Sequence, residues 1–253
     1  MRRQLVTCTI ALALLVASPV LAWHDATHMA VMKAAGLDNY SYLAVGPDMA
    51  KGKAGDSENR NHYNNTPKGV EVTPAMVLAQ VSDYNNPGDV DGHLYGAIIA
   101  AFNAYLQRTS DGKYARYPLG YAAHYLGDLS MPFHSIVYNE FNKKNHAVND
   151  GIVEVTGPRT EPTYVKVGRL AAEIQERMAL LPPLQLPSAK TDLVAFNQAL
   201  AKEIAAIANR AAAIGYAMQE ANPPRTRLTE EEAFGQLAQS ARLLEAAYAA
   251  IER

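Results

Sequence analysis

An all-α fold is predicted by three features of this sequence. Apolar residues recur at helical intervals along most of the chain, a capping-box spacing opens its last apolar run, and Val/Ile/Thr alternation is scarce, the best example being Gly69-Val70-Glu71-Val72-Thr73. The period places helices over about 26–35, 73–80, 90–106, 117–129, 148–153, 164–180, 190–218 and 229–251. In the last of these, Thr229 precedes Glu232 by three residues, and Phe234, Leu237, Ala241 and Leu244 follow on one face. Residues 46–67 are rich in Gly, Asn and Asp and lack a sustained apolar period, which reads as a long loop carrying short structured pieces. The Ala-rich stretch 190–221 reads as a packing element whose small residues permit close helix approach. The LPPLQLP segment, 181–187, breaks two helices but is short and apolar, so it is a turn inside one helical bundle.

The 253 residues hold 23 Lys+Arg against 25 Asp+Glu, a net charge of -2, with 49% hydrophobic residues and one cysteine. That balance argues against a polybasic nucleic-acid or membrane-surface binder and against a disordered chain. The first 22 residues have the three parts of a secretory signal peptide: Arg2 and Arg3, an apolar run from about Leu5 to Val16, and Ser18-Pro19 before a Val20-Leu21-Ala22 end. A membrane anchor would need roughly 20 strongly apolar residues and would have to include Thr7, Thr9, Ser18 and Pro19. Cleavage after Ala22 is therefore expected, giving a secreted or periplasmic protein without a membrane span. Arg2, Arg3 and Cys8 leave with the peptide, so the mature chain, 23–253, carries a charge of -4 and no cysteine. An exported chain without disulfides must be held by its core, by bound metal, or by both. Cleavage also makes Trp23, the only tryptophan, the new N-terminal residue.

Chemistry concentrates in seven histidines: His24, His28, His62, His93, His124, His134 and His146. His124 and Asp128 are i,i+4, a spacing that puts imidazole and carboxylate on one helix face within reach of one metal ion. His134 follows beyond Pro132, and His146 with Asp150 repeats the spacing. Alone, such a pair is more often an exposed helix-surface ion pair. Two pairs, a histidine between them and another in a Gly/Asn-rich loop form a set of nitrogen and oxygen ligands suited to zinc.

With these residues the sequence resembles the trinuclear-zinc phosphodiesterases, which comprise bacterial zinc-dependent phospholipase C and the single-strand-specific nucleases of fungi and plants. The resemblance spans Trp23 to about Asp150 and implies an all-α bundle holding three zinc ions. Its most specific feature is a tryptophan exposed by signal-peptide cleavage, whose amine and carbonyl both bind zinc; Trp23 matches it. An α-amino group of pKa ~7.7–8.0 costs little to deprotonate into a ligand. The resemblance assigns Asp48, His62, His124 and Asp128 to one ion and His134, His146 and Asp150 to a second. Trp23, His28 and a bridging Asp128 fall to the third. Asp56 lies in the same loop as Asp48 and competes for its role; Asp25 has no counterpart, and His24 and His93 are read as non-ligands.

The implied activity is phosphodiester hydrolysis by a metal-bound hydroxide, with Asp48 both ligating and acting as general base. No G-x-S-x-G elbow, Walker loop or H-E-x-x-H is present. Tyr63, Asn64 and Asn65 follow the loop histidine where the nuclease branch stacks and reads a base. Tyr63, Phe133 and Tyr138 equally suit a choline head group. The cysteine-free mature chain and its length favour the phospholipase branch, whereas the five-residue spacing from Trp23 to His28 points to the nucleases. Phospholipid is the expected substrate and single-stranded nucleic acid the alternative; an exported zinc-binding protein without turnover, or a helical domain without metal, would belong to other classes.

Overall fold

The sequence builds ten α-helices and no strand among the described residues, 23–108 and 112–252, of a computed structural model. The expected signal peptide and Cys8 lie outside those residues. The first helix, α1 (Asp25–Ala34), leads into a 3-10 segment (Asp38–Val45), α2 (Gly46–Ala54) and the single turn α3 (Asp56–Asn59). After α4 (Pro74–Ala79) come the two central helices, α5 (Leu94–Gln107) and α6 (Tyr117–Leu129). A 3-10 turn (Pro132–His134) separates α6 from α7 (Glu140–Asp150), and α8 (Thr163–Met178), α9 (Leu193–Glu220) and α10 (Glu230–Glu252) complete the bundle.

Helix starts follow local chemistry. Asn139 accepts from the Asn142 amide at 3.0 Å to begin α7, and Asp192 accepts from Ala195 at 2.9 Å to begin α9. The Thr229/Glu232 box closes in both directions, Glu232 N–H donating to Thr229 Oγ1 at 3.1 Å and Thr229 N–H to Glu232 Oε2 at 2.9 Å.

Three expectations shift. The helix expected over 148–153 is α7 instead, ending where that helix was to begin, because the Asn139 cap outweighs the weak apolar signal of NKKNHAVND. The helix expected from residue 90 starts at Leu94, since Gly92 at φ +76° holds the chain in a turn beforehand. The loop of 46–67 is helical through most of its first half, with Pro47 in the first turn of α2. The turn at 69–73 forms no strand; Asn209 on α9 instead clamps Val72, accepting from its N–H and donating to its carbonyl at 2.8 Å each.

The core lies where α5 packs on α6, with α1, α8, α9 and α10 around them. Ile98, Ile99 and Phe102 of α5 and Leu119, Leu126 and Leu129 of α6 are fully buried, each contributing about 1.5–3 kcal/mol by the area it removes from water. Phe234, Leu237, Ala241 and Leu244 of α10 are all buried. The 181–187 segment is tied back to the bundle, Arg242 donating to the Pro182 carbonyl at 2.9 Å. Small residues set two approaches that matter for the site. A methyl on Gly215 of α9 would lie 2.9 Å from Ile136, so the glycine lets the turn carrying His134 rest on α9. One on Gly120 of α6 would stand 2.8 Å from the Leu43 carbonyl oxygen. No helix among the described residues is long and apolar enough to cross a membrane.

Gly120→Ala is therefore expected to cost about 1–3 kcal/mol through overpacking, lowering Tm in chelator by roughly 2–12 °C for a chain of this size. Calorimetry reads it, and an unchanged Tm would contradict the close approach.

Candidate metal centre

Helix α6 supplies the centre. Its i,i+4 pair, His124 and Asp128, is wholly buried, and the remaining groups arrive from α1 (His28), α2 (Asp48), the chain after α3 (His62), the 3-10 turn (His134) and α7 (His146, Asp150). Asp128 stands in the middle. Its Oδ2 lies 2.8 Å from His62 Nδ1 and 3.3 Å from His124 Nε2, and its Oδ1 lies 3.4 Å from His28 Nε2 and 4.0 Å from His134 Nδ1. Asp48 Oδ1 is 3.6 Å from His124 Nε2, and His146 Nε2 is 3.5 Å from Asp150 Oδ1. Donor atoms bound at ~2.0–2.2 Å to one tetrahedral ion stand ~3.3–3.6 Å apart. Three groups bring their donor atoms within 4.8 Å of one another, the first two sharing His124: His28, Asp48 and His124; His62, His124 and Asp128; His134, His146 and Asp150.

Eight buried atoms of these residues have no hydrogen-bond partner: both His28 nitrogens, Asp48 Oδ1, which has the Lys51 ammonium beside it, Asp128 Oδ1, His134 Nε2, His146 Nε2 and both Asp150 oxygens. Each such atom costs about 1–3 kcal/mol when left unpaired. Their convergence from separate elements is the pattern of a donor set that a cation satisfies. The opposite nitrogens are fixed: His124 Nδ1–H donates to the Ala44 carbonyl at 2.7 Å, His146 Nδ1 faces Asn142 Oδ1 at 2.8 Å, and His134 Nδ1 bonds the His62 carbonyl. In each case the Nε2 lone pair is left to point inward.

Electrostatics agree. Burial holds His28 down to about 3 and His124 to about 4, and keeps His62 and His146 well below the usual imidazole value, so these rings are neutral donors at neutral pH. Burial pushes Asp128 up to about 6 and Asp150 well above the carboxylate range. Such shifts describe carboxylates short of positive charge. Burial would raise Asp48 also, but His124, which is protonated only in the acid range where Asp48 titrates, and the Lys51 ammonium outweigh it and hold it at about 2, with Lys51 Nζ at 2.7 Å.

The structure groups His28, Asp48, His62, His124, Asp128, His134, His146 and Asp150, and Trp23 falls in none of the three groups. His134, His146 and Asp150 form one group. His28 lies flat on His124, ring centres 3.7 Å apart, and groups with Asp48 and His124 as well as approaching Asp128. Gly127 makes the stack possible, since a methyl there would come within 2.4 Å of His28 Nδ1. Asp48, not Asp56, reaches the cluster; Asp56 is at the surface, 3.3 Å from Arg60. Trp23 is buried, its indole N–H donating to Ser130 Oγ at 2.9 Å at the end of α6, while the His24 N–H reaches the Asp150 carbonyl at 3.3 Å. His24 is exposed. His93 is buried outside the three groups, between Asp89 at 3.1 Å and Asn61 Oδ1 at 2.9 Å.

His62, His134 and His146 form the floor of an open cavity of about 500 Å³. Tyr63, Asn65, Phe133 and Tyr138 all line it, joined by Lys51, Asn59, Arg60 and Val90. Asn65 is partly committed to the frame, its Oδ1 accepting from the Tyr138 N–H at 3.1 Å. Phe133 stacks on Phe141 and is almost wholly buried. Asn64 is structural, bonding Thr66 and Gln80. Sequence reasoning missed Lys51, Arg60, Asn142 and Glu58. The last two were accessible to the i,i+4 test used for His124, because Glu58–His62 and Asn142–His146 share that spacing.

No family model matches the chain, and no curated protein matches it.

Gly127→Ala is expected to push His28 off His124 and lower the zinc retained after dialysis, measured by atomic emission. Retention equal to wild type would contradict the packing argument. Zinc at a thousandfold excess over Kd should stabilise the fold by about 4 kcal/mol per site, reversed by chelation; a Tm indifferent to both would remove the centre.

Proposed function

We infer that the chain is an exported zinc-dependent phosphoric diester hydrolase of the phospholipase C type, the mature protein beginning at Trp23. One observation carries this reading: a buried, unpartnered His/Asp donor set lies beneath an open cavity walled by two cations, Lys51 and Arg60, and by no carboxylate. The donor set fits zinc in type, being nitrogen and oxygen only.

His28, Asp48, His62, His124, Asp128, His134, His146 and Asp150 would hold three ions, with the Trp23 amine and carbonyl completing the third. Bound zinc supplies Lewis-acid polarisation of phosphoryl oxygens and a water whose pKa falls towards ~7. The chain's own groups do the rest. Lys51 and Arg60, ion-paired to Asp48 at 2.7 Å and Asp56 at 3.3 Å, would orient the phosphodiester through their remaining N–H donors, and the neutral histidines present unprotonated nitrogens to the metal. Asp48, ionised down to about pH 2, suits ligation and orientation of the attacking oxygen better than removal of its proton, because so weak a base lies far from the working pH. Position supports the role of Trp23: its ring is pinned to the end of α6 and the next residue to the end of α7.

Lipid is favoured by the apolar rim, where Val90 is 65% and Tyr138 40% exposed. The two cations favour a head group without positive charge, so phosphatidylglycerol should outperform phosphatidylcholine. A second reading, cleavage of single-stranded nucleic acid, is favoured by Arg60 beside Tyr63, a cation joined to a stacking ring on the cavity wall.

Processed, zinc-loaded protein offered both vesicles and single-stranded DNA should release diacylglycerol in a chelator-sensitive way. Nucleotide release with intact lipid would transfer it to the second reading, and no turnover on either would sink the hydrolase reading. An extra residue ahead of Trp23 is expected to lower both zinc content and rate, because it displaces the amine.

A further inference from the structure

We propose that Glu58 is a positioning residue for the metal centre, the outer carboxylate that presents His62 as a donor. The inference rests on the metal reading above and adds a residue which that reading does not use. His62 approaches Asp128 and His124 through Nδ1, at 2.8 and 3.1 Å, and turns Nε2 away from the cluster. There Nε2 meets Glu58 Oε1 at 3.1 Å. Acceptance of the Nε2 proton by this carboxylate fixes the tautomer that leaves the Nδ1 lone pair facing inward, and makes the ring a stronger donor. The three other histidines of the metal groups with one fixed nitrogen use neutral acceptors, a carbonyl of Ala44, a carbonyl of His62 and an amide of Asn142; among these rings His62 alone has a carboxylate behind it.

Glu58 is itself held in place. Its side chain is buried, and Tyr125 O–H donates to the same Oε1 at 2.6 Å. Asn61 Nδ2 donates to the Tyr125 oxygen at 3.3 Å, and His93 fixes the Asn61 carboxamide from the other side at 2.9 Å. A chain of fully buried polar groups thus ends on the back of one metal-facing imidazole. A carboxylate placed only to stabilise α3 would need no such clamp, since that helix is a single four-residue turn.

The test titrates metal-free wild type, Glu58→Ala, Glu58→Gln and Tyr125→Phe with zinc against a chromophoric chelator, and repeats each with cobalt to read the ligand field. Glu58→Ala should weaken one zinc site by about 10- to 100-fold and shift the cobalt spectrum. Glu58→Gln should recover much of the affinity because its amide oxygen still accepts from Nε2–H. Tyr125→Phe, which keeps the buried ring, should give a smaller loss in the same site. Unchanged affinity and spectrum in Glu58→Ala would overturn the proposal; were that variant to fail to fold, a Tyr125→Phe protein identical to wild type in both readouts would overturn it. Wild type that takes up no zinc would instead bring down the metal reading itself.

Discussion

A carboxylate with no access to water stands at the centre of this molecule, and much of the structure can be understood as its surroundings. Asp128 is fully buried with histidines at 2.8, 3.3, 3.4 and 4.0 Å, and burial, outweighing the nearby basic groups, raises its pKa to about 6. Neutral imidazoles do not balance such a group: burial lowers the pKa of all four, so they bring lone pairs rather than charge. Asp150, the last candidate ligand along the chain, is in the same condition, both its oxygens without a hydrogen bond. A divalent cation resolves both deficits at once, giving the carboxylates charge and the imidazoles an acceptor. That is a stronger argument for metal than the presence of histidines, because it rests on what the groups lack.

The bundle is arranged to hold these donors against each other. Helix α6 offers His124 and Asp128 on one face, and its glycines are placed for contact, Gly120 against Leu43 and Gly127 against the His28 ring. Helix α9 contributes no donor, yet Gly215 lets the turn carrying His134 settle close. Trp23 and His24 close the circle by bonding the ends of α6 and α7. Three glycines thus do positional work for the site.

The fold class and most helices were legible because apolar period and caps act locally; Thr229 and Glu232 needed only each other. The donors on and around α6 and α7 were legible for the same reason, as two i,i+4 pairs are visible without a fold. What sequence could not supply was the background of each pair. Asp89–His93 has the same spacing as His124–Asp128 and is a structural contact with Asn61 behind it. Only the fold tells them apart, by where the second nitrogen goes. The register of α7 was lost because its polar sequence has little apolar period and its start depends on one Asn139 hydrogen bond. Lys51 and Arg60 were missed because a lone cation in a Gly/Asn-rich segment carries no pattern until α2 and α3 turn it toward a cavity.

The central claim is that the buried His/Asp groups bind metal, and anomalous diffraction at the zinc edge from crystals of the protein tests it most directly. The account predicts peaks within the groups of His28, Asp48 and His124, of His62, His124 and Asp128, and of His134, His146 and Asp150. A map without any peak beside Asp128, from protein grown with zinc, would contradict it.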